Sequence, residues 1–168
     1  MKGKLIFEET QTFRGTWMWY LIIGITFASI SGAVFGLIMS DNPDDYVGLI
    51  IAVVVTVGIM ILLSTATLQV TIDERAIYYK FPPFVNSEKK ITKEDIEEMY
   101  IRKYKAIIEY GGYGYRFRFR SGRALNVAGN TGLQLVLKNG KKILIGTQRP
   151  DYMESAIRKL RENRVMNG

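Results

Sequence analysis

The chain has 168 residues, 48% of them hydrophobic, and carries 23 Lys and Arg against 16 Asp and Glu for a formal net charge of +7. It contains neither His nor Cys. That absence excludes disulfides, thiolate or imidazole metal sites and the usual Ser-His or Cys-His nucleophile pairs.

The opening segment, residues 1–16, contains an alternating stretch from Lys4 to Phe13 with Leu5 and Phe7 on one side, a short strand or an interfacial segment. Two apolar runs follow, Trp17 to Met39 and Tyr46 to Ala66, with no charge and no proline in either. At about 1.5 Å per residue each reaches across a hydrocarbon core roughly 30 Å thick, so residues 17–66 are expected to form a transmembrane hairpin. A cleaved signal peptide fits poorly, because the first run is long and Glu8 and Glu9 interrupt the basic leader. Two buried helices of a soluble protein fit poorly as well, since neither run has a polar face.

The link from Ser40 to Asp45 holds three Asp and no Lys or Arg, whereas Lys2, Lys4 and Arg14 precede the first run and Arg75 and Lys80 follow the second. The positive-inside rule then places both termini in the cytoplasm. Trp17, Trp19 and Tyr20 suit an aromatic belt at the inner interface, and Tyr46 suits one at the outer. Small residues recur at a spacing of four, at Gly24, Ala28, Gly32 and Gly36 in the first run and at Gly48, Ala52 and Thr56 in the second. Such ridges allow close helix packing, either within the hairpin or against a partner helix or second copy.

The remaining residues, 67–168, suffice for one small domain. Their charge is lopsided, twenty basic against eleven acidic groups, or +9. Near an anionic leaflet each Lys or Arg is worth about 1 kcal/mol of attraction. Leu68–Ile72 and Ala76–Phe81, joined by Asp73-Glu74-Arg75, predict a hairpin that Pro82-Pro83 ends. Lys89–Ile96 reads as a short helical turn with Thr92 as N-cap and Asp95 three residues on. From Glu98 to Tyr110 the pattern is strand-like, with Met99, Ile101, Ile107 and Ile108 as core. After Gly111, Gly112 and Gly114, the run Tyr115–Arg120 alternates strictly: Tyr115, Phe117 and Phe119 are expected inside and Arg116, Arg118 and Arg120 outside. Further strands are expected at 124–128, 132–137 and 141–145, the last two joined by the hairpin signal Asn139-Gly140. Pro150 opens an amphipathic helix to about Asn163 in which Met153, Ala156, Ile157 and Leu160 share a face.

About seven antiparallel strands and a closing C-terminal helix follow the order of a pleckstrin-homology-like (PH-like) barrel. The sequence resembles bacterial membrane proteins that join a two-helix transmembrane hairpin to such a domain. The likeness is carried by Ile91–Tyr104, Glu109–Gly114, Asn126–Leu135 and Gly140–Pro150. It implies an α+β membrane protein in a bacterial inner membrane, multi-pass, with a cytoplasmic PH-like domain that binds or scaffolds rather than catalyses. The basic loop through which phosphoinositide-binding PH domains act has no counterpart in Asp73-Glu74-Arg75, so that specificity is not carried over.

The candidate binding residues are Arg116, Arg118, Arg120, Arg123, Lys141 and Lys142, a basic face for lipid headgroups or an acidic partner, or simply the solvated side of a sheet. Arg102, Lys103 and Lys105 form a weaker cluster. Glycines 111, 112 and 114 suit hairpin geometry better than a phosphate cradle, because no Lys-Ser/Thr pair follows. Asp95, Glu97 and Glu98 suit a solvated acidic turn better than acid-base chemistry or a hard-cation site, and Asp41, Asp44 and Asp45 need only hydration. No catalytic residue, metal or cofactor is expected. Membrane lipids are the expected partners, with a membrane protein or a second copy at the hairpin. Nucleic acid is set aside because the aromatics of 115–119 are taken up by the core. The functional expectation is a membrane-anchored binding or scaffold module; the alternative is an accessory or regulatory subunit of a larger transporter or enzyme complex. A channel of oligomerised hairpins is disfavoured by the lack of charge within the spans.

Overall fold

The computed structural model describes residues 3–39 and 43–165, with the side chains of 43–45 and 163–165 excepted. It is a mixed α+β structure that divides into two compact units. One runs from Thr12 to Ala66; the other joins the residues up to Gln11 with those from Thr67 onward.

The first unit is the helical hairpin. Helix α1 spans Trp17–Met39 and α2 spans Pro43–Thr65. Both are long and apolar enough to cross a membrane, over Trp17–Met39 and Tyr46–Thr65. Ile22, Thr26 and Ala33 form the covered side of α1. Gly36 belongs to the packing seam, since a Cβ there would come within 2.6 Å of Leu49 Cδ1. Around Gly24, Gly32 and Gly48 nothing lies within 4 Å of where a Cβ would stand, and Ala28 and Ala52 are exposed. The two helices thus meet along a line that takes in only Gly36 of the glycine ridge.

Among the described residues of the second unit nine strands form two open sheets, in place of the single closed barrel of about seven antiparallel strands expected from the sequence. The first sheet has the order β1-β2-β3-β4, with β1 at Leu5–Thr12, β2 at Thr67–Asp73, β3 at Ala76–Phe81 and β4 at Val85–Thr92. The second has the order β5-β8-β9-β7-β6, with β5 at Ile96–Lys103, β6 at Gly114–Arg118, β7 at Gly122–Asn126, β8 at Thr131–Leu137 and β9 at Lys142–Gly146. β9 runs parallel to β7, with Ala124 opposite Leu144. The predicted hairpins β2–β3 and β8–β9 both form. In the first, Asp73 Oδ1 accepts the backbone N–H of Arg75 and of Ala76, each at 2.8 Å, closing the turn with a side chain. In the second, Gly140 adopts φ +77° and Asn139 Oδ1 accepts the Lys141 N–H.

Strand β1 explains how the domain incorporates residues on both sides of the hairpin. Its burial alternates, with Phe7, Glu9 and Gln11 inside and Leu5 exposed, so Leu5 does not share the core role of Phe7. Glu9, only 6% exposed, accepts a hydrogen bond from the Thr147 hydroxyl at 2.6 Å and another from the Gln148 backbone N–H at 2.8 Å. The Gln11 side-chain amide donates to the Gly146 carbonyl at 2.8 Å. Helix α4, Pro150–Val165, begins directly beyond these contacts, and a carboxylate beside a helix N-terminus is electrostatically favoured. The predicted inward face of α4 is as expected: Met153, Ala156, Ile157 and Leu160 are all buried, and the helix packs on β2, β5 and β8.

Three local expectations are corrected. Residues 89–92 belong to β4 and only Lys93–Asp95 make a single 3-10 turn; the Thr92 hydroxyl bonds the Asp95 carboxylate and caps no backbone N–H. Residues 106–110 are a short helix, α3, whose Ile107 and Ile108 are each 67% exposed, so neither is core; Ala106 and Tyr110 face inward instead. With Tyr104, Ala124 and Leu144 they build a small cluster.

Candidate binding surface

The second sheet ends at β6. Phe117 is 66% exposed and Phe119, in the turn beyond β6, is 96% exposed, while Tyr115 is half-buried. The expectation that these aromatics fill the core is therefore overturned, along with the ground on which base stacking was set aside. Strict alternation does not bury one side of a strand when no layer lies against it at that point.

Pairing fixes how the basic residues surround them. Phe117 lies opposite Arg123 and Arg118 opposite Gly122 across β6–β7, and Arg123 lies opposite Ile143 across β7–β9. Phe117, Arg123 and Ile143 thus form a row that leads to the β8–β9 turn with Lys141 and Lys142. A groove of about 390 Å³ opens there, its rim holding Phe117, Phe119, Arg120, Arg123, Lys141 and Lys142. Among the described residues no carboxylate lines it. Four of the six predicted basic residues are brought together in this way.

The other two are held by the domain's own backbone. Arg116 Nε donates to the Tyr113 carbonyl at 3.0 Å, and the Arg118 guanidinium donates to the Ile108 carbonyl at 3.1 Å. Their charges stay exposed on the edge strand but at fixed positions. Arg123 is also anchored, beside the Tyr79 hydroxyl of β3; burial raises the Tyr79 pKa above 10.0, and the neighbouring guanidinium offsets part of that rise.

Gly122 makes the tip possible. Its φ is +80°, and a Cβ there would stand 2.2 Å from the Lys142 carbonyl oxygen. Only glycine supplies both the left-handed backbone and the close approach of β9.

The weaker basic cluster is occupied structurally. The Arg102 guanidinium pairs with Glu109 at 2.8 Å and donates to the Tyr110 hydroxyl and Gln134 Oε1 at 3.0 Å each. Burial disfavours the Glu109 charge, but the Lys105 backbone N–H and the Arg102 guanidinium outweigh it and hold the carboxyl below its usual 4.5. The glycine run closes α3: Gly111, at φ +79°, donates its N–H to the Ile107 carbonyl, and Gly112 donates to that of Ala106. Those two N–H groups point at carbonyls and do not form a phosphate cradle. Glu97 and Glu98 line an adjoining open cleft of about 620 Å³ with Arg102; it shares Arg120 and Lys142 with the groove, and its charges are mixed. Among the described residues no group of three or more acidic side chains is placed to hold a metal ion. The expectation for Asp41, Asp44 and Asp45 lies outside the described side chains.

Sequence reading missed the polar interior. Besides Glu9 and Gln11, the Tyr104 hydroxyl and the Asn126 amide are buried, and they face one another near Gly146. Burial pushes the Tyr104 pKa up to about 12. A Glu and a Gln at alternate positions of a short strand carry no sequence signal of burial. Compared with known proteins, the chain matches no family model and none of the curated proteins.

Proposed function

We propose that the chain is a membrane-anchored, non-enzymatic binding module. Its hairpin holds the β domain at a bilayer, and the basic rim around Phe117 and Phe119 docks on an anionic surface. The observation that carries this reading is the groove whose rim gathers two arginines, two lysines and two exposed phenylalanines with no carboxylate among the described residues. Mixed-sign surfaces neutralise themselves, whereas a single-sign rim keeps its field for a partner. The charge distribution around the apolar spans supports an inner-membrane location with both termini cytoplasmic. Strands followed by a closing helix support a PH-like kinship, although two open sheets depart from that pattern.

A second reading, an accessory subunit of a larger membrane complex, is favoured by the uncovered Gly24, Gly32 and Gly48, which the hairpin's own packing does not use. Native mass spectrometry of the full-length protein, extracted gently from its own membrane, tests both. Retained acidic lipid supports the module and a stoichiometric companion protein supports the subunit. A monomer that retains no acidic lipid, or one whose lipid retention is unchanged by Lys141→Glu with Lys142→Glu, overturns the module reading.

A further inference from the structure

The rim itself points to the kind of surface it meets. Phe119 projects from the β6–β7 turn almost fully exposed, and Phe117 stands behind it on the edge strand. An apolar ring held in water at a turn tip is unfavourable unless a second phase takes it up. A protein partner's anchor residue usually fills a shaped, desolvated pocket, whereas here the aromatics stand out and the cations lie around them. Aromatic rings among Lys and Arg are the side-chain pattern of a headgroup–acyl boundary. The same chain carries two helices able to span a bilayer, and the domain is joined to them covalently at both ends, which keeps a membrane at high effective concentration.

From this we infer that the β6–β7 tip is a membrane-interface wedge. Phe119, backed by Phe117, enters the boundary of a bilayer containing acidic phospholipid, and Arg120, Arg123, Lys141 and Lys142 hold the phosphates around it. This rests on the binding-module reading and fixes its occupant as lipid.

Because the chain has no cysteine, a single Ser121→Cys places one environment-sensitive fluorophore in the turn and leaves both phenylalanines intact. The labelled full-length protein is reconstituted in vesicles of phosphatidylcholine, alone or with one-third phosphatidylglycerol, with acyl-brominated lipid as quencher; Ser87→Cys on β4 is the control. Insertion predicts a blue shift and at least twofold quenching at 121 in acidic vesicles only. The signal is lost in Phe117→Ser with Phe119→Ser, exposed positions whose change leaves the fold intact, and is cut more than tenfold in lipid sensitivity by Lys141→Glu with Lys142→Glu. A water-like probe in acidic vesicles, or a blue shift that survives loss of both phenylalanines, overturns the wedge. In that event photocrosslinking from position 119 in the native membrane separates the two ideas: a stoichiometric protein adduct keeps the module with a protein occupant, and no adduct removes both.

Discussion

Glu9 and Thr147 lie 138 positions apart in the chain and share a 2.6 Å hydrogen bond in the domain interior. The hairpin is therefore an insertion between the first and second strands of one domain rather than an anchor placed before it. A fragment starting at Thr67 lacks Phe7, Glu9 and Gln11. It is expected to unfold more readily than one in which residues 3–11 are joined to 67–165 by a flexible linker, as read by thermal melting. In the full-length protein Thr147→Val leaves a buried carboxylate with one partner fewer and is expected to cost about 1–3 kcal/mol. Unchanged stability in that variant would remove the Glu9 contact from the account.

Gly122→Ala combines a positive φ with a 2.2 Å approach to the Lys142 carbonyl. The expected loss is about 2 kcal/mol or more, accompanied by faster hydrogen exchange in β7 and β9. Gly140→Ala has the same sign of φ, at +77°, but nothing within 4 Å of the added carbon, so its loss is expected to be smaller. Equal losses in the two variants would show that the close approach contributes nothing.

Glu109 is held below 4.5 and Asp73 below 3.8; burial opposes both charges, and their hydrogen bonds outweigh it. A depressed carboxylate contributes stability that is fully present above its unfolded value and is lost as pH falls through the folded one. Glu109→Gln is expected to cost about 1 kcal/mol at pH 7. That gap narrows as pH drops below about 4.5, the ordinary value, and closes in more acid solution. Denaturant melts of the two proteins from pH 7 to pH 3 check the sign; a gap that widens toward acid contradicts it.

Tyr104 behaves in the opposite sense. With its pKa raised to about 12, its contribution is complete below pH 10 and is lost as pH rises towards 12, at up to roughly 1.4 kcal/mol per pH unit. The buried hydroxyl has the Asn126 amide as its neighbour, beyond ordinary hydrogen-bond distance, so Tyr104→Phe is expected to cost less than about 1 kcal/mol at neutral pH and to lose less stability in alkali. Destabilisation beyond about 1 kcal/mol at pH 7 would show that the hydroxyl has a partner.

What could be read from the sequence was what depends on local pattern. The first span comes out as Trp17–Met39 because Arg14 precedes it and Asp41 and Pro43 follow it in the sequence, and Asp73 and Asn139-Gly140 mark their turns because those side chains close turns locally. Met153, Ala156, Ile157 and Leu160 repeat at helical spacing against two sheets, so their period alone buries them. What failed depends on which face another layer covers. Phe117 alternates as faithfully as Leu135, yet Phe117 is exposed and Leu135 is buried, and nothing within either strand states what packs over it. Glu9 lies at the other extreme, a charged residue drawn inside by partners more than a hundred residues away. The candidate site was half legible: its cations were identified, but the aromatics that give the rim its character were assigned to the core.

The measurement that bears most directly on the binding-module account is hydrogen exchange of the full-length protein in nanodiscs, comparing phosphatidylcholine alone with a mixture containing acidic lipid. The account predicts slower exchange at residues 114–126 and 138–143 in the acidic discs, with the β2–β3 turn unaffected and the protection abolished by Lys141→Glu with Lys142→Glu. Identical exchange in the two discs, or protection that persists after charge reversal, would contradict it.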